Sequence, residues 1–376
     1  MIAAISYSFL QEYWWAIISL LGSLLVFLMF VQGGQSLLFT IGKTEMQRTM
    51  LVNTLGRKWE FTFTTLVTFG GAFFASFPLF YATSFGGAYW VWIAVLFSFI
   101  LQAVSYEFRS KPANFLGKKT YEIFLFINGL MGPILIGTAV GTFFNGAGFS
   151  LNDYNQVIWQ GASRGLEAVA VFHNVALGLA VFFLVRVLGL LYFINSIEDD
   201  EIVIRSRKHL AYNAVLFLVF FLYFLVILLV KDGFSYNADT LEVSLEKYKY
   251  LHNLLEMPLV LILFLAGVVM VVWGIANDLF FKVGRGIWFS GTGTVLVVFS
   301  LFLIAGYNNT SYYPSISDLQ SSLTIRNSSS SHFTLNVMSY VSLLVPFVAA
   351  YIWYAWKSIN NKKIDKTEME DTSHKY

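Results

Sequence analysis

The sequence contains no cysteine and very few charges. Of 376 residues none is Cys, which excludes disulfides, thiolate metal sites and cysteine nucleophiles. Only 12% are Asp, Glu, Lys or Arg, about half the share of a soluble domain. The formal net charge of +2 is too small for the basic footprint of a nucleic-acid-binding protein. Histidine is scarce, with five residues at 173, 209, 252, 332 and 374. There is no Walker loop, no His-Glu-x-x-His and no Gly-x-Ser-x-Gly, so a self-contained hydrolase, metalloprotease or nucleotide-binding enzyme has no motif to rest on. What the chain has instead is apolar bulk: 57% hydrophobic residues, 38 of them Phe. That balance predicts an all-α integral membrane protein, because helices satisfy their own backbone hydrogen bonds where no water is available.

A span needs about 20 mostly apolar residues to cross about 30 Å of hydrocarbon. Nine windows qualify, near 13–40, 61–83, 88–106, 122–144, 167–194, 209–230, 255–277, 287–306 and 334–357. Residues 84–87 make the second and third a tight hairpin. Alternate loops carry the positive charge. Lys43, Arg48, Arg57 and Lys58 follow the first span; Arg109, Lys111, Lys118 and Lys119 follow the third. Eighteen of the 24 Lys and Arg fall on that side and five on the other, with Arg186 inside the fifth span. Cationic loops stay cytoplasmic, so the N-terminus is expected outside and the C-terminus inside. The N-terminus lacks the basic flank and cleavage site of a signal peptide, and the first apolar run is read as a retained helix. Residues 1–359 then form the transmembrane domain and 360–376 a polar, mobile cytoplasmic tail. Trp14, Trp15, Tyr89, Trp90, Trp353, Tyr354 and Trp356 are expected at the two interfaces, where a ring can be half wet. The outer loops 231–254 and 307–333 contain few breakers and are expected to be partly ordered.

Ionisable groups at membrane depth are costly and therefore candidates for function. Glu60 opens the second span in Gly56-Arg57-Lys58-Trp59-Glu60. A carboxylate there is stabilised by the helix dipole, and it is equally placed to carry protons. Glu107 and Arg109 close the third span in Tyr106-Glu107-Phe108-Arg109-Ser110-Lys111; they read as interfacial charges, with proton entry at Glu107 as the functional alternative. Gln32 and Gln35 sit one turn apart beside Gly33 and Gly34, suited to interhelical hydrogen bonding or to a polar path. In the fifth span, His173 and Arg186 are thirteen residues apart, about 20 Å along the axis, and cannot share a site. His173 reads as hydrogen-bonded structure, and Arg186 as a side chain that snorkels or pairs with a partner's carboxylate. Small residues at Gly33-Gly34, Gly70-Gly71, Gly137 and Gly141 let backbones approach closely and mark the first, second and fourth helices as candidate partner-facing surfaces. A transporter-like permease is the competing reading, although Pro133, Pro258 and Pro346 form no inverted pair.

Three ordered stretches resemble subunit II of the cytochrome bd quinol oxidases. Ser330-Ser331-His332-Phe333-Thr334-Leu335-Asn336-Val337-Met338 is similar to the family's Ser-Ser-x-x-Thr-Leu-Asn-Val-Met entry to its last helix. Trp59-Glu60 followed by Leu66 through Ala82, with Gly70-Gly71-Ala72 and Phe77-Pro78, resembles the family's Trp-Asp-Gly-Asn segment and the Gly-Gly-Ala-Leu-Phe-Ala-Ala-x-Pro that follows. Glu107-Phe108-Arg109-Ser110-Lys111 matches its acidic-aromatic-Arg-Ser-Lys run. The chain departs from the family where Asp-Gly-Asn-x-x-Trp becomes Glu60-Phe61-Thr62-Phe63-Thr64-Thr65 and where the acidic pattern of helix one becomes Gln32-Gly33-Gly34-Gln35.

The resemblance implies two four-helix bundles plus a peripheral ninth helix in the bacterial inner membrane. It implies a heterodimer with a larger subunit I that binds haems b and d and oxidises quinol, while this chain binds no haem or metal and has no catalytic residue of its own. Small accessory subunits, lipid and quinone complete the expected partners. Glu60 and Glu107 are then the proton-transfer candidates, and Gln32, Gln35, Trp59 and Arg109 the candidates for a polar path or for packing.

Overall fold

A computed structural model describes residues 5–360 and 362–365. The first span, α1, covers Tyr7–Gln35. It is capped by Ser6, whose hydroxyl accepts from the Phe9 amide, and is interrupted once at Met29. The basic connection that follows is itself helical: α2, Glu45–Gly56, opens with a reciprocal capping box between Thr44 and Gln47 and buries Met50, Leu51, Val52 and Leu55. The second span, α3 (Trp59–Ser76), is shorter than the 61–83 window. Pro78 has no amide hydrogen and disfavours helical geometry in the residue before it. Phe77 accordingly adopts φ −133°, ψ 66°, and the chain bends by 116° into the turn Pro78–Gly87. The remaining spans are α4 (Tyr89–Phe108), α5 (Lys118–Asn145), α6 (Phe172–Ser196) and α7 (Asp200–Val230). After a short helix α8, Lys249–Glu256, come α9 (Pro258–Phe281), α10 (Gly286–Gly306) and α11 (His332–Ile359). Among the described residues this makes eight helices long and apolar enough to cross a membrane, and nine with the bent second span.

Two boundaries shift for local reasons. The fifth span starts at Phe172 because Leu166–Ala170 forms a 3-10 turn, and the sixth begins at Asp200 because the Asp199 carboxylate accepts from the Ile202 amide and caps it there. The loops on the face opposite the basic one are ordered. Two antiparallel hairpins, β1 (Phe149–Leu151) with β2 (Val157–Trp159) and β3 (Gly233–Tyr236) with β4 (Val243–Glu246), lie over the helix ends.

Among the spans, α1 packs on α3 and α5, α4 on α5, α6 on α7 and α9 on α10; contacts of α6 with α5 and α1, and of α1 with α10, join the earlier spans to the later ones. The joint is α6, of whose most apolar stretch 83% is buried. Four of the glycines expected to face a partner chain serve this joint instead. A Cβ on Gly33 would lie 1.8 Å from the Val185 carbonyl oxygen, and one on Gly137 would lie 2.7 Å from Gly178 Cα. Gly34 and Gly141 are similarly closed off by Leu55 and Phe193, and by Asn174. Gly71 meets nothing within 4 Å and remains on an open face.

Trp14 and Trp15 are core residues rather than interfacial anchors. The indole nitrogen of each is satisfied internally, by the carbonyls of Leu335 at 3.1 Å and Phe302 at 3.0 Å, so neither ring needs a wet edge. The last helix, α11, is peripheral, with 11% of its apolar stretch buried. Tyr13 and Trp14 hold one end of it, through Ser342 and Leu335. Trp356 holds the other, against rings from four other helices: Phe30, Phe61, Tyr192 and Trp288. Of the tail expected over 360–376, Ile364 is buried and forms a bridge with Ile197; residues 361 and 366–376 lie outside the described residues.

Candidate functional site

A column of polar side chains runs between α1, α3, α4 and α5 from their basic end. It begins at Glu122 on α5, whose two carboxylate oxygens accept from Arg109 Nη2 on α4 and Arg48 Nε on α2, both at 2.8 Å. Arg109 and Glu122 are each 1% exposed. Arg109 also donates to Thr49 Oγ1 at 3.0 Å. Arg109 therefore corrects the expectation of an interfacial charge: Glu122 supplies the counter-charge that lets a guanidinium leave water.

Further along α4, Tyr106, Gln102 and Ser98 follow at four-residue spacing and so share one helix face. Gln35 Nε2 donates to the Tyr106 hydroxyl at 3.0 Å, and the Trp59 ring stacks on Tyr106 with centroids 5.5 Å apart. Gln32 Nε2 reaches Asn128 Oδ1 at 3.3 Å, and Asn128 Nδ2 reaches Ser98 Oγ at 3.3 Å. These bonds leave a remainder. Gln32 Oε1, Gln35 Oε1, Trp59 Nε1 and both polar atoms of Gln102 are buried with no hydrogen-bond partner among the described residues. Each such group is expensive in an apolar interior unless water reaches it.

The structure thus brings Gln32, Gln35, Trp59 and Arg109 into one column and leaves both proton-transfer candidates outside it. Glu60 is exposed on the first turn of α3 and lines an open cavity of about 420 Å³ with Gly56, Arg57, Phe61 and Ile359. Glu107 is on the surface, paired with Lys111 at 3.1 Å. Lys58, between Trp59 and Arg57, is fully buried; its ammonium lies 4.4 Å from the centre of the Trp356 ring. Sequence reasoning missed Glu122, Asn128, Ser98, Gln102 and Tyr106. The polar spacing of four along an otherwise apolar α4 was the available signal for three of them.

The other two in-span candidates are engaged elsewhere. Arg186 Nε donates to Asn213 Oδ1 of α7 at 2.7 Å and its guanidinium lies 5.2 Å from the Phe182 ring centre. His173 Nδ1 and Nε2 lie 3.0 Å from Asn145 Oδ1 and the Phe224 carbonyl. Lys231 closes the same knot, donating to Asn145 Oδ1 at 2.7 Å and to the Phe144 carbonyl at 2.6 Å. Burial pushes the Lys231 ammonium down to about 8, against the opposing pull of Asp232. With both ring nitrogens so held, His173 does not fit as an axial haem ligand. Among the described residues no three His, Asp or Glu side chains gather as a metal site.

The sequence model of the family described as "Cytochrome bd terminal oxidase subunit II" matches residues 10–359. The chain belongs to that family. Among its relatives, the cytochrome bd-I ubiquinol oxidase subunit 2 of Escherichia coli strain K12 is 27% identical over 98% of this chain and 99% of that one. The probable cytochrome oxidase subunit 2 of Haemophilus influenzae is 28% identical, with the same shares covered. The cytochrome bd ubiquinol oxidase subunit 2 of Bacillus subtilis is 26% identical over 83% of this chain and 85% of that one. In fold, the chain is similar to a chain of the bd oxidase of Geobacillus thermodenitrificans, with a TM-score of 0.54 at 11% identity, covering 93% of this chain and 98% of that one. Family membership replaces the permease reading. In this subunit II the polar column is carried by amides and hydroxyls, with Glu122 at its basic end.

Proposed function

We propose that this chain is the haem-free subunit of a cytochrome bd-type quinol:oxygen oxidoreductase, paired with a subunit I that carries haems b and d, oxidises quinol and reduces oxygen to water. In this reading the chain holds the complex together and supports proton uptake from the cytoplasm. The basic end is then the cytoplasmic one, in keeping with the loop charges. The N-terminus is outside and the protein is a multi-pass protein of the bacterial inner membrane.

The unpartnered atoms of Gln102, Gln32, Gln35 and Trp59 carry the proposal for proton uptake. Buried polar groups inside a membrane bundle call for water, and water with hydroxyls and amides conducts protons without needing an acid at every step. Glu60, in its open cavity one residue from Trp59, collects protons at the surface. The test uses the assembled complex with Gln102→Leu and Gln102→Asn. Leucine removes both polar atoms without adding bulk, so quinol-driven oxygen consumption and proton uptake fall together while haem content is unchanged; asparagine restores part of both. Full turnover in Gln102→Leu rules the column out as the route.

A further inference from the structure

We infer that Lys231 and Asn145 are the two halves of a self-forming isopeptide cross-link, made by attack of the lysine amine on the side-chain amide with His173 as the proton carrier. Lysine and histidine converge on one atom of the amide. Lys231 Nζ lies 2.7 Å from Asn145 Oδ1, and His173 Nδ1 lies 3.0 Å from the same oxygen. The amide cannot be turned the other way round. Its Nδ2 donates to the Gly141 carbonyl and to Asn174 Oδ1, and Asn174 is itself fixed by donating to the Ala168 carbonyl. Nζ thus already touches the carbonyl group it attacks, one C=O bond away from Cγ, and a tilt out of the amide plane completes the approach.

The surroundings make the lysine a nucleophile. Phe144 packs ring against ring with Phe224 and Tyr250 beside the knot, and His173 stacks on Phe224. Burial outweighs the pull of the neighbouring Asp232 and holds the Lys231 amine at about 8, so an appreciable share is neutral at physiological pH. His173 is set for the charge-separated state rather than the resting one. Its Nε2 faces the Phe224 carbonyl at 3.0 Å, which keeps the hydrogen of a neutral ring there and leaves the Nδ1 lone pair opposite those of Asn145 Oδ1. That contact becomes a hydrogen bond only once Nδ1 has taken a proton. As Nζ bonds to Cγ, Nδ1 receives a proton from Nζ and donates to the negative Oδ1; it then passes that proton to Nδ2, the Cγ–Nδ2 bond breaks and ammonia leaves. An amine and a primary amide become a secondary amide and ammonia, with no change of oxidation state. The product ties the end of α5 to the end of α7 across the start of α6.

The experiment is mass spectrometry of the full-length chain from its detergent-extracted complex, as purified and after incubation at a pH where the Lys231 amine is neutral. The expected result is a chain lighter by one ammonia and, after digestion, a branched peptide that joins the segments holding Asn145 and Lys231. Lys231→Arg keeps the charge and the hydrogen bonds but yields no branched peptide. His173→Gln keeps a polar side chain without a titratable nitrogen, and in a pulse-chase after synthesis it links about 100-fold more slowly. Unbranched peptides from the wild-type chain under both conditions overturn the proposal. So does an ammonia loss that persists in Lys231→Arg, which marks closure of Asn145 on the Gly146 amide instead. Linking at the wild-type rate in His173→Gln overturns the part given to the imidazole.

Discussion

Replacing Glu122 with Gln is the most demanding test of the packing at the basic end. The carboxylate uses both oxygens, one for Arg109 and one for Arg48, and an amide offers a single acceptor. Arg109, 1% exposed, then loses the carboxylate that it meets at 2.8 Å, and removing one member of a buried pair costs about 3–5 kcal/mol. That is a large part of the 5–15 kcal/mol typical of a whole folded domain. It corresponds to a change of roughly a hundred- to a few-thousand-fold in the folding equilibrium. Arg48 is 22% exposed, so Arg48→Gln is expected to cost only about 1 kcal/mol. Glu122→Leu combined with Arg109→Met removes both charges and recovers most of the loss, because an apolar replacement of a buried pair is often close to neutral. Equilibrium denaturant unfolding of the three variants and the wild type, followed by tryptophan fluorescence, measures the order. A Glu122→Gln protein within about 1 kcal/mol of wild type refutes the argument that this carboxylate is what keeps Arg109 inside.

Glu60→Gln keeps shape and most hydrogen bonding but removes the titratable proton. Oxygen consumption and proton uptake are expected to fall with haem content and assembly intact, and Glu60→Asp to be milder; unchanged activity in Glu60→Gln assigns the residue to stabilising the helix start. Gly33→Ala places a methyl carbon where the Val185 carbonyl stands, so α1 and α6 must separate. The expected loss is about 1–3 kcal/mol or more, read as a lower denaturation midpoint. Gly71→Ala fills open space and is expected to be neutral or slightly stabilising in the same assay, because alanine favours the helix over glycine by about 1 kcal/mol.

Much of this architecture was legible because the bilayer imposes a single length rule on every span, and the windows at 88–106, 287–306 and 334–357 fall almost where α4, α10 and α11 do. The rule fails where local chemistry intervenes. Pro78 cuts the second span short although hydropathy continues through Tyr81, and Asp199 starts α7 nine residues before the apolar stretch. The site was legible in type more than in arrangement. Gln32, Gln35 and Trp59 stood out as polar or amphipathic groups near membrane depth, but which face each would present depends on helix rotation, and that is set by packing. Arg109 looked interfacial because its neighbours Glu107 and Lys111 are. Only the position of Glu122 on a different helix, thirteen residues on, shows that it turns inward.

The burial of α6 bears on how the protein is made. The first four spans are synthesised before Phe172 is reached, and until the fifth follows them the clefts at Gly33, Gly34, Gly137 and Gly141 have no helix to receive. Lipid tails are poor substitutes in grooves that admit a helix within a few ångström. Synthesis of the fifth span is therefore the step at which the earlier helices can settle. A chain stalled or truncated before it presents two unfilled seams, on α1 and α5, to membrane quality control, whereas one truncated after Ser196 carries the helix that closes them.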